Sequence, residues 1–303
     1  MQPIFYKDNG KTLICEKKPL SLTFNRSLST KTNKMTLQLL ICTFNDGIKR
    51  IPDLLLPPID GVEYLVSWQQ ASDFTPYELP EEIADRSDVE VTTLPGLGLS
   101  RNRNNSFLHA SADICLICDD DCRYTPDGLR AIIDAFEQNP DVDIITFVAK
   151  NDSEQKFYPA NSFNLKEKVR NYYVTSFEIA FRRLPVIERV KFNEHFGLGS
   201  DMFGAGEEAI FIADAIEADL NCQFFPTQIV EHLGPTTSVT RAGEASVLRA
   251  NGAILYHSYR TTMWLRLPLL AWRAHRSANV PFTYALKHLN QGITKMRHLT
   301  KDS

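Results

Sequence analysis

Asp119, Asp120 and Asp121 follow directly on the apolar run ICLIC (114–118). Adjacent carboxylates repel one another, and gathering them at the end of a buried strand costs stability. A divalent cation removes that cost. Hard oxygen ligands suit Mn²⁺ or Mg²⁺, which keep coordination positions open for phosphate oxygens. The other reading of the triplet is a solvated acidic turn capping the next helix. His232 closes the apolar run IVEH (229–232), where a neutral imidazole suits a third metal ligand, a pyrophosphate contact or a structural role. Glu207 and Glu208 follow Gly204-Ala205-Gly206 at a predicted helix start. Glycines there let the backbone approach a ligand closely, and an acid at such a loop suits a general base. Favourable charge at a helix N-terminus is the plainer alternative.

These residues need a frame to hold them. LQLLICTF (37–44), VEYLVSW (62–68), VEVTTL (89–94), DICLIC (113–118) and VDIITFVA (142–149) read as strands. SRNRNNSFLHA reads as a helix capped by Ser100 after the Gly96 and Gly98 turn. TPDGLRAIIDAFEQNP reads as another, with Thr125 at the cap, Pro126 in the first turn and Leu129, Ile132, Ile133 and Phe136 on one face. Strands alternating with helices predict an α/β domain with a mostly parallel sheet flanked by helices. In such sheets ligands bind beyond the carboxyl ends of the strands, where the Asp triplet would lie. Further on, VTSFEIAF (174–181) alternates like an antiparallel or edge strand, EEAIFIADAIEADL (207–220) reads as a helix and CQFFPTQIVEHLG (222–234) as a late strand. Residues 235–250, rich in Thr, Ser, Gly and Ala, suit a lid loop. The expected domains are an N-terminal extension (1–34), a catalytic domain (35–255) and a helical C-terminal tail (256–303). Either the extension is a hairpin added to the domain, or Met35, just before the first strand, is an alternative start that leaves it out.

The stretch GLGLSRNRNNSFLHASADICLICDDDCRYTPDG resembles glycosyltransferase family 2: a Gly (Gly98), an Arg-Asn pair opening a helix (Arg103–Asn104), then an apolar strand and an Asp cluster. LLICTFNDG resembles the family's opening strand and its nucleotide-facing loop, and FGLGSDMFGAGEEAIFI its Gly-rich loop ending in an acidic pair. The resemblance spans roughly residues 36–235. It implies a GT-A type fold and an inverting transfer of sugar from a nucleotide donor, a UDP-sugar foremost. It also implies Asp121 as first metal ligand, joined by Asp119 and His232. Thr43, Asn45, Asp46, Ser67, Arg101, Arg103, Asn104, Asp119 and Asp120 are implied on the donor. Glu208 becomes the base and Glu207 a binder of sugar hydroxyls. The family places acids after its second strand to hold base and ribose; VSWQQ (66–70) has none, leaving Ser67, Gln69 or Asp73 for that task.

Composition narrows the rest. The net charge is −4, with 43% hydrophobic residues, which excludes a disordered chain or a basic nucleic-acid coat. No run reaches the roughly 18 apolar residues of a membrane span. Without an apolar leader, and with six Cys, the expectation is a cytoplasmic protein in a reducing compartment. Cys115 and Cys118 fall inside a predicted strand and read as buried apolar residues rather than a zinc site. Charge is segregated: residues 257–303 carry +7, residues 1–34 carry +5 and the middle −16. The basic tail, with Trp264 and Trp272 among arginines, suits either packing on the catalytic domain or peripheral contact with an anionic inner membrane. The acceptor class is a glycan or lipid-linked glycan, expected from the resemblance in bacterial surface-polysaccharide assembly. Two rivals stand beside this reading. A nucleotidylyltransferase normally needs a basic Gly-rich loop that TFNDG lacks. A degenerate glycan-binding protein would have lost its metal and base.

Overall fold

A computed structural model describes residues 34–73, 75, 79–151, 156–234 and 240–302. The chain divides into two units, Met1–Asn33 and Lys34–Ser303. The strand-like segments expected in the N-terminal extension lie outside the described residues, as do residues 235–239 of the expected lid.

In chain order the second unit contains β1 (Leu37–Phe44), a 3₁₀ turn (Asn45–Leu54), β2 (Val62–Gln70), α1 (Glu81–Ala84), β3 (Val89–Pro95), α2 (Leu99–His109), β4 (Ile114–Asp119), β5 (Cys122–Tyr124) and α3 (Pro126–Gln138). Then come β6 (Ile144–Lys150), β7 (Phe163–Asn164), a 3₁₀ turn (Ser176–Glu178), β8 (Ile179–Arg182), α4 (Arg183–Ile187), α5 (Glu207–Glu217), β9 (Cys222–His232), α6 (Ala245–Ser258), α7 (Met263–Ala278) and α8 (Phe282–Asp302). The strands form one sheet in the order β3-β2-β1-β4-β8-β6-β9-β5, with β7 paired to β9. β3, β2, β1 and β4 run parallel, as do β6 and β9.

Two expectations change here. The segment read as an antiparallel or edge strand is antiparallel, but shorter and central: β8 inserts between β4 and β6. Because β6 is antiparallel to β8, it runs in the direction of β4, so the carboxyl ends of β1, β4 and β9 share one side of the sheet. The cap of α2 is Gly98 rather than Ser100. Ser100 sits inside the first turn, where its hydroxyl donates to the Phe196 carbonyl at 2.7 Å. By contrast, Thr125 caps α3 as expected, accepting from the Gly128 amide at 3.0 Å.

Both faces of the sheet are covered. Leu129, Ile132, Ile133 and Phe136 of α3 pack on one face with Leu39, Ile41 and Leu116. Phe107 of α2 and Phe211 of α5 pack on the other with Leu40, Ile117 and Phe181. Cys115, Cys118 and Cys122 are buried free thiols.

The helical C-terminal region begins at Ala245, so residues 245–250 of the expected lid are helix, and the region extends upstream of 256. Leu248 and Ala253 of α6, Leu267 of α7 and Leu289 and Ile293 of α8 form a core with Phe196, Phe203 and Ile210. A Cβ at Gly252 would strike the Leu289 carbonyl, and one at Gly292 the Arg249 carbonyl. These paired glycines let α6 and α8 pack backbone to backbone. The tail therefore packs on the catalytic domain, but the outer face of α7 stays exposed at Trp264, Leu265, Leu269 and Trp272.

Candidate active site

A cleft of about 440 Å³ opens at the carboxyl ends of β1 and β4, and Asp119, Asp120, Asp121, Glu207, Glu208 and His232 all line it. The sheet explains how the Asp turn and His232 come together. Asp119 lies beside Cys42 in the β4–β1 register, and Cys122 lies beside His232 in the β5–β9 register. The Asp turn is thereby pinned between two strand pairs.

Each aspartate has a separate set of partners. Asp119 accepts from Arg103 at 2.8 Å through Oδ1 and from Ser176 at 3.0 Å through Oδ2. Asp120 Oδ2 accepts from Thr43 and from Arg50, both at 2.6 Å. Burial raises the Asp120 pKa, against the lowering effect of Arg50 and Thr43. Asp121 Oδ1 lies 3.3 Å from His232 Nε2. Burial disfavours the charged His232 ring, but Asp121 outweighs that effect and the pKa rises. His232 Nδ1 lies 3.0 Å from the Gly234 carbonyl, and Phe177 stacks on the ring at 4.6 Å. In the neutral tautomer with its hydrogen on Nδ1, donated to that carbonyl, the Nε2 lone pair would face Asp121, the orientation of a ligating imidazole. The donor atoms of Asp119, Asp121 and His232 do not gather as a set of three. Asp121 and His232 face each other, while Asp119, with one hydrogen bond on each oxygen, bridges Arg103 and Ser176 beside them.

Arg103 is the centre of the arrangement. It is 1% exposed, lies over the Phe192 ring at 5.2 Å, and donates to Asp119 at 2.8 Å and to Glu207 Oε1 at 2.7 Å. Burial opposes its charge, yet Asp119 and Glu207 outweigh burial and raise its pKa. Arg103, expected on the donor, lines the cleft and ties the Asp turn to the Glu pair. Gly206 precedes that pair with φ of 82°, and a Cβ there would meet Ile254 Cδ1 at 2.5 Å. This left-handed glycine turns the chain so that both glutamates reach the cleft. Burial and the neighbouring Glu207 push the half-buried Glu208 up to a pKa of about 8. A carboxyl in that range becomes a base only as pH approaches that value, where its ionised form can take a proton.

Several residues expected on the donor lie elsewhere. Ser67 is buried and accepts from Asn105 at 2.8 Å, beneath α2. Asn104 holds the 192–194 segment, donating to the Phe192 carbonyl at 2.9 Å. Asn45 accepts from the Ala71 amide at 2.9 Å, which fixes the turn after β1. Asp46 and Arg101 lie outside the cleft lining; Arg101 is exposed, and Asp46 pairs with Lys49. Thr43 does line the cleft, through its bond to Asp120.

The sequence reading missed Arg50, Asn102 and Ser176, and named Gln69 only as a substitute for an absent acid. Gln69 and Asn102 line the cleft, and each carries a buried polar atom without a partner, Nε2 and Oδ1 respectively. Asn102 sits inside the RNRNN run of α2. Ser176 belongs to a Thr175–Glu178 capping box, whose T-x-x-E spacing was readable. Glu178, 0% exposed, receives Lys156 at 2.7 Å and Tyr158, so the turn presenting Ser176 is anchored from below.

The family model for glycosyl transferase family 2 matches residues 41–194. The fold resembles that of S. aureus TarS 1–349, with TM-score 0.54 and 12% identity over 87% of this chain and 92% of that one. The same fragment in complex with UDP aligns with TM-score 0.52 and 14% identity, over 82% and 73% of the two chains. Its complex with UDP-GlcNAc aligns with TM-score 0.51 and 12% identity, over 80% and 72%. A search of the curated proteins gives no match.

Proposed function

The chain belongs to glycosyl transferase family 2, and from that premise we propose that its cleft moves a sugar from a UDP-sugar to an acceptor hydroxyl with inversion at the anomeric carbon. The observation that carries this reading is the Arg103 bridge, which ties Asp119 of the Asp turn and Glu207 of the Glu pair together in one cleft. The TarS fragment, which shares the fold, is crystallised with UDP and with UDP-GlcNAc, which supports the donor class.

In this mechanism Glu208 accepts the proton of the acceptor hydroxyl as that oxygen bonds to the anomeric carbon. The bond from that carbon to the diphosphate oxygen breaks, and its electron pair leaves with the diphosphate. Attack on the face opposite the leaving group inverts the configuration. Glu207, held by Arg103, accepts from the hydroxyls of the sugar. Gln69 and Asn102 offer a free donor and a free acceptor to the nucleoside. Asp121 and His232 would hold Mn²⁺ or Mg²⁺, which when bound supplies Lewis-acid neutralisation of the diphosphate. Titration of UDP by calorimetry tests that assignment. In Mn²⁺ the wild type is expected to bind tighter than in EDTA, and Asp121→Asn to bind equally weakly in both. An unaltered Mn²⁺ effect in Asp121→Asn would remove Asp121 from the ligand set, and metal-independent glycan binding without UDP binding would favour a lectin-like protein.

The acceptor is proposed to be a glycan or lipid-linked glycan of bacterial surface-polysaccharide assembly, met on the cytoplasmic side of the membrane. No helix among the described residues is long and apolar enough to cross a membrane. The exposed Trp264, Leu265 and Trp272 of α7, with Arg266, Arg273 and Arg276 beside them, support peripheral contact with anionic lipid. Since α6–α8 share a core with Phe196 and Phe203, truncating the tail would expose that core. Point changes are the cleaner probe. Trp264→Ala with Trp272→Ala is expected to abolish co-sedimentation with anionic vesicles while leaving UDP binding intact. Sedimentation equal to wild type would refute the membrane contact.

A further inference from the structure

Asp214 and Glu217 stand one turn apart near the end of α5, and His257 faces them from the last turn of α6. His257 Nε2 lies 3.6 Å from Asp214 Oδ1 and 3.7 Å from Glu217 Oε1, and the three donor atoms all lie within 4.8 Å of one another. The His257 side chain is 11% exposed, yet its buried Nε2 makes no hydrogen bond. A buried ring nitrogen without a partner costs free energy unless something occupies its lone pair. These spacings are long for hydrogen bonds. They are close to the edge of a coordination tetrahedron, since two ligands ~2.0–2.1 Å from Zn²⁺ at the tetrahedral angle stand about 3.3 Å apart.

We propose that Asp214, Glu217 and His257 bind a divalent transition-metal ion, Zn²⁺ foremost, that clamps α6 to α5. One imidazole and two carboxylates suit Zn²⁺, with water in the fourth position beside the exposed Glu217. The site is separate from the cleft and does not rest on the sugar-transfer reading. Its place in the fold gives it a consequence for that cleft. α5 begins at Glu207, and α6 begins beneath the glycine loop, where the Gly204 amide donates to the Ser246 carbonyl at 3.3 Å. Ile254 of α6 packs against Gly206. A clamp at the far ends of both helices fixes the angle at which α6 supports the loop before the glutamates.

The test uses full-length, chelator-stripped protein carrying Asp121→Asn, which disables the proposed cleft metal pair. Zn²⁺ uptake is measured by equilibrium dialysis, and melting temperature with and without Zn²⁺. The expected result is one Zn²⁺ per chain with a raised melting temperature. Adding His257→Gln, or Glu217→Gln at a residue 70% exposed and so structurally tolerant, should weaken Zn²⁺ binding at least about tenfold. Absence of Zn²⁺ binding in the Asp121→Asn protein, or binding unchanged by both added variants, would overturn the proposal and leave a plain histidine–carboxylate contact.

Discussion

Glu208→Gln is expected to bind UDP-sugar like the wild type while kcat falls by about 10²–10⁴-fold, the usual contribution of a positioned general base. The amide keeps the shape of the side chain but cannot take the acceptor proton. Because burial and Glu207 push the Glu208 pKa up to about 8, the carboxyl is largely protonated at neutral pH. In the wild type kcat/KM should therefore climb with pH and level off above about 8. Stability runs the opposite way. A carboxyl whose pKa is higher folded than unfolded favours the folded state below its unfolded value, and that advantage is lost as pH rises through the folded one. Glu208→Gln removes this loss, so its melting temperature should gain on the wild type as pH increases. Stopped-assay turnover, donor titration and melting curves at several pH values check the three parts together. Full turnover in the variant would transfer the base role elsewhere.

Arg103→Met is expected to destabilise the fold by about 3–5 kcal/mol, the usual cost of removing one partner from a buried ion pair. Arg103 is 1% exposed and serves two carboxylates. Its loss takes the ion pair from Glu207 and leaves Asp119 with the Ser176 hydroxyl. Arg103→Lys keeps the charge but not the fork that spans both acids. It should recover part of the stability while turnover stays low, because the Asp turn and Glu pair lose their common tether. Denaturant unfolding of both variants, read against their kcat, separates the structural from the catalytic cost. Stability within about 1 kcal/mol of wild type in Arg103→Met, an ordinary surface-substitution effect, would show that the bridge is not the organiser of the cleft.

The sheet was readable because strands buried on both faces write themselves as apolar runs, as LQLLICTF and DICLIC do, and because Thr125-Pro126 marks a helix start unambiguously. Strand pairing was less readable. The alternation of β8 fits an antiparallel or an edge strand alike, whereas its place between β4 and β6 is decided by partners far along the chain. The chemistry showed the same division. Types and order brought the Asp triplet, the Glu pair and His232 to one cleft. The tasks of the three aspartates, however, depend on side-chain direction through a turn: Asp119 faces Arg103, Asp120 faces Thr43 and Arg50, and Asp121 faces His232. Ser67 and Gln69 lie on the same side of β2, but only Gln69 reaches past α2 into the cleft. That difference of one pleat repeat is set by where α2 begins, which the strand's own residues do not record.

Stereochemistry tests the central claim most directly. The protein would be incubated with Mn²⁺ and a panel of α-linked UDP-sugars, UDP-GlcNAc first, and the first-formed product followed through its anomeric proton by NMR. Direct attack assisted by the carboxylate at 208 requires a β-configured product. An α-configured first product, or no turnover of any sugar nucleotide in the panel, would contradict it.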